Sequence, residues 1–313
     1  MLRHVLKQVV AGVVLVLATT AITFALLYSG GTSIARNVLG LDASESQVAA
    51  KAQELGLDQP LLVQYGAWLS DLFHGSLGQS FVTGEPITHM LSSRIPVTLS
   101  LVVISMILMA ILSVLIGVAA ATKGGWIDRV LQVVAISGSS VPHFLIAIGL
   151  VLAFALAIPL LPATGYVPFE KDPGAWAASL TLPVLAILIS GVAAAAQQFR
   201  GEMIDILQQG YIRTLRARGI SERNVIFRHA LRNASGPGLT ILSLQAIGLF
   251  GGVIVIERVF ALPGLGTLVA TAARQSDIPA VMGCVLITVV VVVIVNSIAD
   301  ITNVLINPKS RAT

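Results

Sequence analysis

Long apolar runs alternate with polar segments along the chain, and the length of those runs sets its fold class. Residues 9–28, 98–122, 130–158, 180–196, 239–256 and 280–306 each come close to the roughly 20 residues a helix needs to cross a hydrocarbon core. A barrel is excluded, because its strands would be segments of about ten residues with alternating character. The pattern predicts an all-α integral membrane protein with six transmembrane helices. The first run follows Arg3, His4 and Lys7 and is longer than the roughly 7–15 apolar residues of a signal peptide, so it reads as an uncleaved anchor.

The polar segments carry their own signals. In residues 29–96, Ser44 and Gln47 have capping-box spacing ahead of a helix over 48–55, with Gly56 as its stop. Asp58 and Pro60 open a second amphipathic helix through Leu61, Leu62, Tyr65, Leu69 and Leu72 that ends near Gly75. This is an ordered excursion between the first two crossings. Residues 159–179 read as a loop, with Tyr166 and Trp176 suited to a membrane interface. Beyond the fifth crossing, Pro263, Gly264 and Gly266 demand a turn, and 265–273 reads as a short outer helix. Near the end of the sixth, Asn296, Asp300 and Asn303 share one stripe, suited to interhelical hydrogen bonding.

Residues 200–234 form a polar island with seven arginines and three acids, in a chain that is 11% charged. Its pattern is two short helices about a turn. The first, over 211–218, places Tyr211, Ile212 and Leu215 on one side and ends at Gly219, which tolerates positive φ. Ser221 offers an N-cap hydroxyl with Glu222 in the first turn. Ile226, Phe227, Ala230, Leu231 and Ala234 then recur at helical spacing, opposite Arg223, Arg228 and Arg232. An apolar knob on a basic collar suits a protein groove lined with acids. It equally suits a loop lying on anionic headgroups, where each Lys or Arg is worth about 1 kcal/mol.

The third crossing is interrupted by Ser139, Ser140, Val141, Pro142 and His143. Backbone groups freed by Pro142 need partners, which a segment lining a translocation path or a kink packed inside the bundle both supply. His143 reads as a hydrogen-bonding residue, because no second metal ligand stands at ligand spacing. In the fifth crossing Gln245 is a path candidate, and Gly248 and Gly252 have the spacing that lets another helix approach. Glu257, just beyond, is a candidate outer-gate residue or a local capping or pairing group.

Composition narrows the reading further. With 56% hydrophobic residues and a mean hydropathy of +0.90, no soluble fold accommodates the chain. Of its 19 Lys and Arg, 13 fall in segments placed inside if the N-terminus is inside, and six outside, so both termini and the island face the cytoplasm. The net charge of +4 is therefore a matter of distribution across a membrane, not of nucleic-acid binding. The single Cys284, within an apolar run, is a small helix- or lipid-facing residue. No G-x-x-x-x-G-K-[ST], H-E-x-x-H or G-x-S-x-G occurs, so the chain holds neither a phosphate loop nor a recognisable intramembrane active site. An ion-coupled secondary transporter would place coupling carboxylates near the midplane, whereas Asp300 is the only acid in any crossing.

Two motifs carry a resemblance. The stretch Y-I-R-T-L-R-A-R-G-I-S-E-R-N-V-I-F-R-H-A-L-R-N-A, from Tyr211 to Ala234, resembles the coupling loop of ABC importer membrane subunits in the form used by the peptide and nickel branch. Arg213, Thr214 and Leu215 stand where the general family motif has Glu-Ala-Ala. E-R-V-F-A-L-P-G-L-G, from Glu257 to Gly266, is similar to the branch's signature after its fifth helix, and Glu54 to Tyr65 and Gly75 to Ser80 are similar to its segment after the first. The resemblance implies the B-type permease of a dipeptide or oligopeptide importer with a type I ABC importer fold: an anchor helix over 1–28, an extracytoplasmic region over 29–96, a five-helix core over 97–306 and a cytoplasmic tail over 307–313. It further implies a coupling function for Tyr211, Arg213, Thr214, Leu215, Arg216, Ala217, Arg218, Gly219, Ser221, Glu222, Phe227, Arg228 and His229. The expected partners are a second permease, ATPase subunits that bind ATP and Mg, an extracytoplasmic solute-binding protein or lipoprotein, and bacterial inner-membrane lipid. The chain itself is expected to bind no cofactor or metal and to catalyse nothing. Nickel chelates or other small ligands remain alternative cargo.

Overall fold

The computed structural model describes residues 2–28, 30–40 and 42–306. In chain order the helices are α1 (Leu2–Tyr28), α2 (Thr32–Leu39), α3 (Glu45–Glu54), α4 (Leu61–Phe73), α5 (Ile87–Lys123), α6 (Gly125–Ser140), α7 (His143–Val151), α8 (Pro173–Leu207), α9 (Gly210–Ala217), α10 (Glu222–Asn224), α11 (Leu231–Val259), α12 (Leu265–Arg274) and α13 (Ile278–Ile306). Wider π-helical turns extend α7 over Leu152–Ala157 and join α10 to α11 over Val225–Ala230. Among the described residues, five helices are long and apolar enough to cross a bilayer, and His143–Ala157 is a shorter apolar one.

The third expected crossing is thus broken in two. Val141, held by the following proline, is extended at φ −97° and ψ 123°, and Pro142 lacks the N–H that would continue α6. The expected loop over 159–179 is also shorter than its polarity suggested. Asp172 accepts from the Gly174 and Ala175 amides at 2.8 and 3.0 Å and Pro173 takes the first helical position, so α8 starts there and carries Trp176. At its other end α8 runs past Arg200 to Leu207. The island's second helix is not a separate element either, since 222–259 is one continuous rod. A helical turn at Thr32–Leu39, unsignalled by the glycines before it, completes the differences. The capping box at Ser44 and Gln47 forms as read, with the Gln47 side chain accepting from the Ser44 amide at 2.9 Å.

The chain divides into two compact units. The first comprises residues 1–98 and 263–293. Its core joins Phe24, Ile34, Val48, Trp68, Leu77, Ile87, Leu91, Leu265, Leu268, Met282 and Cys284. Phe24 stacks on Tyr28 with centroids 3.9 Å apart, and Tyr65 on Trp68 at 5.9 Å. Asp277, buried ahead of α13, accepts from Ser80 Oγ and from the Phe81 amide, which ties the end of the excursion to the start of that helix. The Leu265 amide, at the start of α12, donates to Thr98 Oγ1 at 2.8 Å.

The second unit, residues 99–262 and 294–313, is built around α8, which packs on α6, α7 and α11. Close approach rests on glycine. A Cβ at Gly117 would stand 2.8 Å from the Ala196 carbonyl and from Phe199 Cβ, and one at Gly191 would stand 2.3 Å from Met109 Cε. Gly248 and Gly252, the pair with the helix-packing spacing, have room instead: nothing lies within 4 Å of a Cβ on the first, and only His143, at 3.8 Å, on the second. Spacing marks where two backbones are able to meet, and neighbouring side chains decide whether they do.

Candidate functional site

The island is assembled from the last turns of α8, the whole of α9 and the first turns of the rod that becomes α11. Gly219, at φ +77°, reverses the chain after α9, with its amide donating to the Arg216 carbonyl at 2.9 Å. Ser221 occupies the N-cap position, yet its hydroxyl caps nothing. The corner is held by side chains instead: Arg216 forms a two-pronged pair with Glu222, Nε to Oε2 at 3.0 Å and Nη2 to Oε1 at 2.6 Å. That hydrogen bonding holds the Glu222 carboxyl below the usual carboxylate range. Asn233 Nδ2 donates to the Tyr211 hydroxyl at 2.8 Å and to the His229 carbonyl at 3.1 Å, tying α9 to the rod a second time.

The apolar knob expected on this surface is mostly turned inward. Ile212, Val225, Ala230 and Ala234 are fully buried with Met203, Ile206 and Val118, and Leu215, Ile220, Ile226 and Leu231 pack against them. The same amphipathic stripe that suits an external groove finds its groove within the chain, on α8 and the end of α5. What stays outside is Phe227, 54% exposed, and Tyr211 at the rim, with Arg213, Thr214, Ala217, Arg218, Arg223 and Arg228 around them. His229 is half-buried. Beneath Phe227 and Arg228 opens a cavity of about 690 Å³, walled by Ala110, Val114, Phe199, Leu231 and Leu239.

One arginine of the seven leaves this collar. Arg200 reaches Asp128 with both Nε and Nη2, the latter 2.7 Å from Oδ2, and both side chains are largely covered. The Arg200 hydrogen bond is the main reason the Asp128 carboxyl titrates below its ordinary value. A cation bound this way fastens α6 to α8 and has no charge to offer elsewhere.

The second candidate set gathers at the break after α6. Ser139 and Ser140 have side chains outside the described residues. Pro142 leads into α7, and His143 Nδ1 shares a hydrogen bond with Ser190 Oγ of α8. His143 and Gln245 line one cavity of about 110 Å³ with Met109, Gly191, Gly248 and Gly252. Room for it exists because those glycines carry no side chain. Glu257 is elsewhere, fully buried in the last turns of α11, where its carbonyl accepts from the Leu262 amide at 2.7 Å. Among the described residues no three His, Cys, Asp or Glu side chains gather as metal ligands do.

Two features here escaped the sequence pattern. The π-helical turn Val225–Ala230 sits where the island meets the membrane rod, a deviation that recurs at functional positions and has no compositional signature. Arg200 and Asp128 lie too far apart in sequence for any local rule to join them.

Comparison with known proteins covers nearly the whole chain. Residues 113–312 match the family described as binding-protein-dependent transport system inner membrane component, and residues 1–102 match its N-terminal counterpart. A putative peptide transport system permease protein of Brucella abortus is 37% identical over 308 residues, 98% of each chain. A glutathione transport system permease protein of Salmonella typhi is 33% identical over 99% of each chain. A probable D,D-dipeptide transport system permease protein of Escherichia coli is 33% identical over 97% of this chain and 96% of its own length. With the two family matches in chain order and the similarity covering nearly its whole length, this multi-pass membrane chain belongs to the binding-protein-dependent transport system inner membrane components, the permease subunits of ABC importers.

Proposed function

We propose that this chain forms half of the translocation path for di- or oligopeptides in a bacterial inner-membrane importer, beside a second permease of the same fold. The observation that carries the cargo class is the similarity, over nearly the whole length, to permeases named for peptides, dipeptides and glutathione, all short amide-linked molecules. In this reading α6 and α7 together supply a sixth crossing, residues 29–96 lie outside, and both termini and the island lie in the cytoplasm. A solute-binding protein or lipoprotein delivers cargo from outside. ATP and Mg belong to separate ATPase subunits, since this chain has no phosphate loop.

The island is the handle those subunits grip. Phe227 would enter an apolar pocket on the ATPase, with Arg213, Arg218 and Arg228 on its acidic rim. Because residues 222–259 form one rod, a displacement at Phe227 is carried along its length to Gln245, Gly248 and Gly252 at the polar cavity. The helix is continuous between the two points, with the π-helical turn Val225–Ala230 and Pro237 as the places where it is able to bend.

The test is uptake of a labelled dipeptide into proteoliposomes holding the assembled transporter, with its binding protein outside and ATP trapped within. ATP-dependent accumulation supports the reading, and accumulation driven by a proton or sodium gradient without ATP overturns it. Gly252→Leu probes the path in the same assay: it fills the His143–Gln245 cavity and is expected to cut uptake at unchanged ATPase binding.

A further inference from the structure

We propose that α4 is an interfacial helix sunk in the outer leaflet, with the stripe bearing Leu62 and Phe73 covered by lipid acyl chains. The proposal rests on the reading of residues 29–96 as the outer side. Its starting point is a depth. No charged residue occurs between Lys7 and Arg36. From Lys7 to Tyr28, α1 rises about 32 Å at 1.5 Å per residue, which matches a hydrocarbon core of about 30 Å. Lys7 therefore marks one edge of that core and Tyr28 the other.

α4 meets α1 well inside those limits. The Tyr65 hydroxyl lies 3.0 Å from Thr20 Oγ1 and donates to the Leu17 carbonyl at 3.2 Å, while its ring stands edge-on to Phe24. Thr20 is about 12 Å below Tyr28 along the helix, and Leu17 about 16 Å. Even allowing for the reach of a tyrosine side chain, a helix anchored there cannot ride free in water above the headgroups. The two hydroxyls satisfy each other and the α1 backbone, as polar groups must where water is absent.

The faces of α4 agree with this position. Trp68 is buried and Tyr65, Leu69 and Leu72 pack against the unit's core. Leu62 and Phe73 are each 85% exposed, the highest values among the large hydrophobics of the described residues, and Val63 is 55% exposed. Three turns separate Leu62 from Phe73, so they lie on one line. The helix's only charged residue, Asp71, is exposed about half a turn around from that line, where a helix lying in the interface presents its polar side to water. A soluble partner docking from outside has no access at the depth of Tyr65, so the stripe faces the membrane phase, where acyl chains are the proposed occupant and a membrane-embedded protein neighbour is the outcome that would overturn it.

Spin labelling decides the matter. In a Cys284→Ser background, single cysteines at Leu62, Phe73, Asp71 and Gln53 are labelled in the assembled transporter in right-side-out membrane vesicles, and each label's collision rate is measured with oxygen and with a water-soluble nickel chelate. The expected result is a several-fold higher oxygen-to-chelate ratio at positions 62 and 73 than at 71 and 53. High chelate access at 62 and 73 overturns the proposal in favour of water, and low access to both agents overturns it in favour of a protein neighbour. Gln53, exposed on α3, reports the sidedness separately: relaxation by chelate trapped inside but not by chelate added outside sinks the outer-side reading, whatever positions 62 and 73 show.

Discussion

The ring of Phe199 occupies the place a side chain on residue 238 would need. A Cβ built on Gly238 falls 2.2 Å from Phe199 Cε1, and on its α5 side the same residue's Cβ stands 2.8 Å from where one on Gly117 would be. α8 is thereby wedged between α5 and α11 just where the membrane rods give way to the island. Gly238→Ala is expected to destabilise the chain by about 1–3 kcal/mol through overpacking. Thermal denaturation in detergent measures it. Phe199→Val in the same chain should restore part of the loss, which a purely local backbone effect at 238 would not allow.

Phe227 separates docking from folding. Its ring is 54% exposed and makes little of the core, so Phe227→Ala should leave stability within about 0.5 kcal/mol of the parent. If Phe227 is the anchor of the ATPase interface, its loss should weaken retention of that subunit by about 2 kcal/mol, roughly 30-fold, in a pull-down titrated with purified ATPase. Unchanged retention would move the anchor elsewhere.

Gly219 is required by its backbone alone, since nothing lies within 4 Å of a Cβ there and φ is +77°. Asparagine tolerates that conformation and a β-branched residue does not. Gly219→Asn is therefore expected to keep most dipeptide uptake, and Gly219→Val to abolish it while the protein still inserts. Equal activity of the two variants would show that the turn is not part of coupling.

The Asp128–Arg200 pair predicts a pH dependence with a definite sign. The folded-state pKa of Asp128 is depressed, so its contribution is fully present above the unfolded value of about 3.9 and disappears as pH falls through the lower folded value. The difference in melting temperature between the parent and Asp128→Asn should be constant from neutral pH to about 5 and close below about 4. A gap that widens on acidification would mean that the pair is not what fastens α6 to α8.

Much of this was legible from residue order. Ser44 with Gln47, Pro60 and Gly219 punctuate their helices as local rules require, because caps and turns depend on residues a few positions apart. Trp176 reads as a loop residue by polarity alone, although Asp172 and Pro173 just ahead of it are a local cap signal. Local rules failed where the partner is distant in sequence. The apolar stripe from Ile212 to Ala234 is a true amphipathic pattern, but which body covers it is a separate fact, and here the covering body is α8 with the end of α5.

By itself the sequence determined that apolar segments cross a membrane, which segments carry the positive charge and where an arginine-rich amphipathic island lies between them, since length, charge and periodicity are properties of the chain alone. Only the tertiary structure decided that Arg200 is spent on Asp128, that His143 and Gln245 share one cavity, that Tyr65 reaches Thr20, and that most of the island's apolar side packs inward. Periodicity gives the direction in which a side chain points along its own helix; what it meets there depends on the packing of helices distant in sequence, and no local pattern encodes that.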